Sequence, residues 1–256
     1  MLKKINKPWR NPRLLQKLYW KQNLSTRKIS KTLGCSRQNI DQWMKKLKIP
    51  FRQMPLAVSL GFAQPKLTSS TSLAYILGVI FGDGYISIYK RDDGTSYKIG
   101  LNVKEKKFAL EFMSALRQIG LNPNMCFDSK YFYRVSCANK VFVEWFKNQT
   151  LNDVKHFIEV DKFFIIYFIK GFYESEGTCI KGRNLIRISN TNCKLLNLIS
   201  TLLSKLKIES KINGPYIRNT AYSKNVHEYQ LNINKQKDSE KFLKLINPCI
   251  KYPLMS

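Results

Sequence analysis

Apolar residues near the front of the chain fall at helical spacing. In PRLLQKLYWK, residues 12–21, Leu14, Leu15, Leu18 and Tyr19 share one face, and Pro12 suits the first position of a helix. The following stretch, STRKISKTLGCSRQNIDQWMKKLKI at residues 25–49, predicts two more helices. Ser25 caps the first, which turns Ile29 and Leu33 inward; Gly34 permits a left-handed turn; Ser36 caps the second, with Ile40, Trp43 and Leu47 facing the core. That order is the grammar of a helix-turn-helix. An ordinary three-helix bundle with a solvated basic face carries the same apolar pattern.

Residues 50–72 hold Pro50, Pro55 and Pro65 and end in TSSTS, which reads as a linker before Leu73 opens the next helix. From there one pattern is written twice. A mainly apolar helix containing ILGVIFGDG, residues 76–84, leads to strands YISIYKR and YKIGLNVK around the turn DDGTS. Then come the helix EKKFALEFMSALRQIG, with Phe108, Phe112, Leu116 and Ile119 at helical spacing, a second strand pair, NMCFDS and YFYRVSC, and the short helix KVFVEWFKNQ. IKGFYESEG, residues 169–177, opens the second pass: strands TCIKG and NLIRISN, helix CKLLNLISTLLSKLKI, strands ESKINGPYIR and HEYQLNIN, and helix DSEKFLKLI. The expectation is an α+β chain, two copies of α-β-β-α-β-β-α behind a small all-α unit.

Charge indicates the kind of partner. Across 256 residues, 44 Lys and Arg against 17 Asp and Glu leave a formal +27, and residues 1–72 contribute 16 of the bases with the single acid Asp41. A polyanion is the obvious partner, although an anionic membrane surface or plain solubility accounts for the same charge. No apolar run approaches the ~20 residues of a membrane span. The start, MLKKINKPWRNPR, lacks the apolar core of a secretory signal, while its bases without acids leave an organelle transit segment open. Six cysteines without a C-x-x-C, and only His156 and His227 to join them, argue against zinc or a disulfide framework. Free thiols in an intracellular, reducing compartment are the expectation.

The two quoted phrases each end in an acid followed by a glycine expected to end the helix. Asp83 and Glu176 stand where the helix dipole is negative and a Lys or Arg is the usual stop signal, so a cation is expected to neutralise them. Gly78 and Gly82 are four apart, as are Gly171 and Ser175, and small residues at that spacing let two helices approach closely. Packed together, such helices bring Asp83 and Glu176 side by side. Converging carboxylates with water and a phosphodiester form an oxygen site of the kind Mg²⁺ prefers, and metal there activates water for in-line displacement. A buried helix with a solvated acid at its end is the alternative for either phrase taken singly.

ILGVIFGDG and IKGFYESEG resemble the two motifs of a single-chain LAGLIDADG homing endonuclease over about residues 73–250. The second motif departs at Lys170, Tyr173 and Ser175, while Gly171, Glu176 and Gly177 hold. The resemblance implies a pseudo-twofold saddle whose motif helices form the interface and whose sheets lie along DNA. It implies that Asp83 and Glu176 bind Mg²⁺ or Mn²⁺ and that both strands of a long site are cut, by a monomer, without a membrane. It also implies water-positioning side chains near the strand-to-helix junctions, where Lys104 and Asn192 fall.

The domain expectation is a helix-turn-helix at 1–50, a linker at 51–72, a first half at 73–161 and a second at 162–256. In the front unit Arg37, Gln38 and Gln42 would reach base edges and Arg27, Lys28 and Lys31 phosphates. On the strands the candidates for DNA are Tyr85, Ser87, Tyr89, Arg91, Lys98, Asn102, Arg183, Arg187, Asn190 and Arg218, of which alternation allows only part to share a face. A non-cleaving DNA-binding regulator, or a maturase holding intron RNA, is the competing reading on the same scaffold.

Overall fold

The computed structural model describes residues 7–52, 64–91, 94–128, 131–180, 185–219 and 224–251. Ahead of the duplicated part are three short helices. α1 (Pro12–Gln16) has Asn11 as its cap and runs on into a π-helical turn, Lys17–Lys21. α2 (Thr26–Leu33) starts where Ser25 Oγ accepts the Lys28 N–H at 3.2 Å and stops at Gly34, whose φ of 65° is the left-handed turn. α3 (Arg37–Lys46) starts on Ser36 in the same way. Leu15, Leu18, Tyr19, Ile29, Ile40, Met44 and Ile49 form a core of their own, with Leu14, Leu33, Trp43 and Leu47 packed at its edge. Most of the expected linker, residues 53–63, lies outside the described residues.

The first copy runs α4 (Thr71–Phe81), β1 (Gly84–Arg91), β2 (Gly94–Val103), α5 (Lys106–Gln118), β3 (Asn124–Phe127), β4 (Tyr133–Ala138), α6 (Lys140–Lys147) and α7 (Leu151–Ile158). The second runs α8 (Lys162–Glu176), β5 (Gly177–Ile180), β6 (Leu185–Asn190), α9 (Cys193–Lys205), β7 (Lys211–Arg218), β8 (Val226–Ile233) and α10 (Gln236–Ile246). Each set of strands makes an antiparallel sheet, ordered β1-β2-β4-β3 and β5-β6-β8-β7. The strand that leaves each motif helix is therefore an edge strand.

Alternation divides each sheet into a core face and an open face. Ile99, Leu101, Val135 and Cys137 point into one continuous core with Phe108, Phe112 and Leu116 of α5. Ile186, Ile188, Leu231 and Ile233 do so in the second copy, against Leu195, Ile199 and Leu202 of α9. At the centre α4 and α8 pack along one another without room for side chains. A Cβ on Gly78 would stand 2.1 Å from the Phe168 carbonyl oxygen, one on Gly171 2.3 Å from that of Tyr75, and one on Gly82 2.3 Å from Ser175 Cβ.

Four details differ from the sequence expectation. α4 begins at Thr71, because Ser70 rather than a later residue caps it. β2 begins at Gly94, with Arg91 paired to Gly94, so the ladder consumes part of the expected turn. The additional helix α7 follows α6, started by a capping box in which Thr150 and Asp153 satisfy each other's backbone. Finally, α4 is capped at Gly82, so Gly84 begins a strand and does not end the helix, whereas Gly177 both caps α8 and begins β5; neither Gly84 nor Gly177 has positive φ. What excludes a side chain there is proximity: a Cβ would lie 2.8 Å from Ile80 Cα at Gly84 and 2.0 Å from the Tyr173 ring at Gly177.

Candidate functional site

The small residues that bring α4 and α8 together also fix where their acids go. Glu176 is the last residue of α8, and Asp83 stands two residues past the end of α4, immediately before β1. The two ends meet: a Cβ on Gly82 would be 3.3 Å from Glu176 Cγ. Burial raises the Asp83 pKa, Glu105 raises it further, and Lys251 opposes both. Burial, then the charge of Asp83, push Glu176 up to about 7 against the opposing pull of Lys251 and Asn190. Loss of water around the charged form is the first cause of both shifts, and a neighbouring acid adds to each, Glu105 at Asp83 and Asp83 at Glu176.

Asn190, at the end of β6, donates its side-chain N–H to Glu176 Oε1 at 3.1 Å. Its neighbour Asn192 is engaged elsewhere, accepting the Leu195 N–H at 3.2 Å as the cap of α9. Lys104 is exposed beside the N-terminus of α5, its ammonium 5.6 Å from the centre of the Phe132 ring. The cation at the acids is one that sequence reasoning missed. Lys251 Nζ donates to the Ser175 carbonyl at 2.5 Å. Burial lowers the Lys251 pKa, while Asp83 and Glu176 are the first charges that raise it. Nothing in the local sequence of Lys251 signals this; it lies 75 residues beyond Glu176 and arrives through tertiary packing.

Beside the acids, the open face of the first sheet forms a concave surface of about 420 Å³ lined by Tyr85, Ser87, Tyr89, Lys98, Asn102, Arg134 and Ser136. Register explains the set, since Ser87 pairs with Lys98, Tyr85 with Gly100, and Asn102 with Arg134. Gly100 is where the Tyr85 ring lies: a Cβ there would be 2.3 Å from it. Arg134 and Ser136 belong to this face although sequence reasoning passed over them, and the alternation of YRVSCA was the signal available. The side chain of Arg91 and all of Arg183 lie outside the described residues.

On the second sheet the arginines are tied to neighbours. Arg187 Nε donates to Asn232 Oδ1 at 2.9 Å, and Arg218 pairs with Glu228 at 2.9 Å. In the front unit Arg27, Lys28, Lys31, Arg37, Gln38 and Gln42 are all exposed, and Arg37 reaches Asp41 at 3.5 Å. Two cations lie near Trp43, Arg10 4.9 Å and Lys46 5.1 Å from the centre of its ring. The six cysteines are free, and no group of three or more His, Cys, Asp or Glu that could hold a metal occurs among the described residues. No described helix is long and apolar enough to cross a membrane.

Two sheets hang from a glycine-tight helix pair that ends in facing acids, and the second copy of this arrangement matches a known family. Residues 163–247 match the family described as LAGLIDADG-like domain, within the copy whose motif departs further from the pattern. An uncharacterized protein of Methanocaldococcus jannaschii is 34% identical over 157 residues, 57% of this chain and 58% of that relative's length. Homing endonuclease I-DmoI of Desulfurococcus mucosus is a homologue, 29% identical over 164 residues, 60% of this chain and 79% of that one. The structure of I-DmoI in complex with DNA and Mn shares the fold, with a TM-score of 0.53 and 24% identity over 70% of this chain and 96% of that one. Full-length WhiA from Thermatoga maritima also shares it, at a TM-score of 0.51 and 16% identity over 72% of this chain and 57% of that one.

Proposed function

We propose that the protein is a metal-dependent endonuclease that cuts both strands of double-stranded DNA at a long, specific site. One observation carries the reading: Asp83 and Glu176 meet at the end of the α4–α8 pair, next to a concave polar face bearing Lys98 and Arg134. The residues fit a divalent cation, because two partly buried carboxylates, both raised in pKa by burial and Glu176 further by the charge of Asp83, are relieved by a double positive charge. Asp83 and Glu176 would hold it. Bound there, Mg²⁺ or Mn²⁺ would supply an acidified water and offset charge on the leaving oxygen. The chain does the rest. Asn190 orients the Glu176 carboxylate, Lys251 places an ammonium where charge accumulates on a phosphate, and the open sheet faces align the duplex. Lys98 and Arg134 contribute salt-dependent affinity, and Tyr85 and Asn102 read base edges.

α2 and α3 act as a helix-turn-helix that extends the site, with Arg37, Gln38 and Gln42 towards bases and Arg27, Lys28 and Lys31 on phosphates. Their separate core and exposed basic face support this. A second reading, a DNA-binding protein that does not cut, is favoured by Lys251, whose ammonium already offsets both acids. A random-sequence plasmid library separates the two. Incubated with protein and Mg²⁺, it acquires double-strand ends at one sequence motif, and chelation of the metal stops this. Retention of the library on the protein with intact DNA in excess Mg²⁺ or Mn²⁺ would favour the binder.

A further inference from the structure

A buried carboxylate joins three segments of the chain close to the acids. Glu174, 1% exposed, accepts the Tyr75 hydroxyl at 2.5 Å on Oε2 and the Cys249 backbone N–H at 2.6 Å on Oε1. Tyr75 belongs to α4, Glu174 to α8 and Cys249 to the segment after α10. Two residues further on, the Lys251 carbonyl accepts the Tyr173 hydroxyl at 3.1 Å, and the Lys251 ammonium donates to the Ser175 carbonyl at 2.5 Å. Tyr173, Glu174 and Ser175, consecutive on α8, thus hold the stretch that delivers Lys251.

The duplication contains its own control. Glu174 is sixth in IKGFYESEG as Phe81 is sixth in ILGVIFGDG, and Phe168 precedes the second phrase as Tyr75 precedes the first. Where Glu174 meets Tyr75, the corresponding crossing has Phe81 against Phe168, rings 6.2 Å apart. An all-hydrocarbon pair therefore serves one crossing of the helices. Burying a carboxylate at the other is unfavourable for packing alone, even with Lys170 nearby to offset its charge. What Glu174 does and Phe81 cannot do is accept a backbone N–H from the segment that leads to Lys251.

We propose that Glu174, braced by Tyr75, is a positioning residue that fixes residues 249–251 on α8 and so holds the Lys251 ammonium beside Asp83 and Glu176. The proposal rests on the endonuclease reading. Its test is a double substitution, Tyr75→Phe with Glu174→Phe, which copies the aromatic crossing already present, leaves no polar side chain of that crossing unpaired and releases the Cys249 N–H. Single-turnover cleavage at saturating DNA is expected to fall about 10- to 100-fold, with DNA affinity and thermal midpoint near those of the parent. Glu174→Gln, which still accepts the Cys249 N–H, is expected to keep most of the rate. In a Lys251→Met background, itself slow, the double substitution should add no further loss, because the group being positioned is gone. Cys249→Pro, which removes the donated N–H without altering α4 or α8, should reproduce the loss if the aromatic variant does not fold. Parent-like cleavage by the aromatic variant or by Cys249→Pro overturns the proposal, as does a loss that multiplies with that of Lys251→Met. Failure of the unaltered protein to cut overturns the endonuclease reading instead.

Discussion

Glu176 makes the metal-free protein sensitive to pH. Its carboxyl ionises at about 7 rather than near 4.5, so between those values the folded chain keeps a proton that the unfolded chain has released. Stability accordingly falls as pH rises through that window and is lowest above 7, with Asp83, raised in the same direction, adding to the fall. Thermal melts without metal should drop between pH 5 and 8, Glu176→Gln should flatten the drop, and Mg²⁺ at pH 8 should recover part of it. A midpoint that climbs over the same range would mean that the two acids do not share one site. Both acids were legible, because the chain writes the same phrase twice. Lys251 and Glu174 were not, since one lies in a segment without pattern and the other looked like a helix residue among many. Asn190 and Asn192 lie in one short stretch, SNTNCKLL, and the competing demand for a helix cap takes Asn192.

The helix pair is the element on which the site depends. Gly78 and Gly171 lie against carbonyl oxygens of the opposite helix, and backbone cannot step aside as a flexible side chain can. Gly78→Ala should therefore destabilise the fold by about 1–3 kcal/mol or more, read by urea titration, and separate the acids. An unchanged midpoint would place these glycines outside a tight interface. Periodicity announced these elements well: β-alternation, the 3.6-residue spacing of α5 and α9, and the Ser25 and Ser36 caps all carry local signals. It served less well where tertiary contacts decide. Gly84 and Gly177 look like helix stops in sequence, yet their lack of a side chain answers to Ile80 and the Tyr173 ring. α7 had its capping box in plain view in TLND, but its eight residues interrupt the symmetry that organised the rest.

Across the whole molecule, a basic front unit with its own core precedes a duplicated body with another. If α2 and α3 extend the DNA site, removing residues 1–60 should weaken binding and make it less steeply dependent on salt, because fewer phosphates are contacted. Cleavage at saturating protein should survive; its complete loss would mean that the front unit takes part in the chemistry. The duplication itself was readable, as was the excess of positive charge that points to a polyanion. The orientation of the open faces needed strand register, which only the folded sheets supply. The most direct measurement compares the parent with Asp83→Asn and Glu176→Gln on the cleaved DNA sequence in Mg²⁺, scoring binding and single-turnover cutting separately. Binding kept and cutting lost in both variants is the predicted result. Cutting at the parent's rate with either acid gone would contradict it.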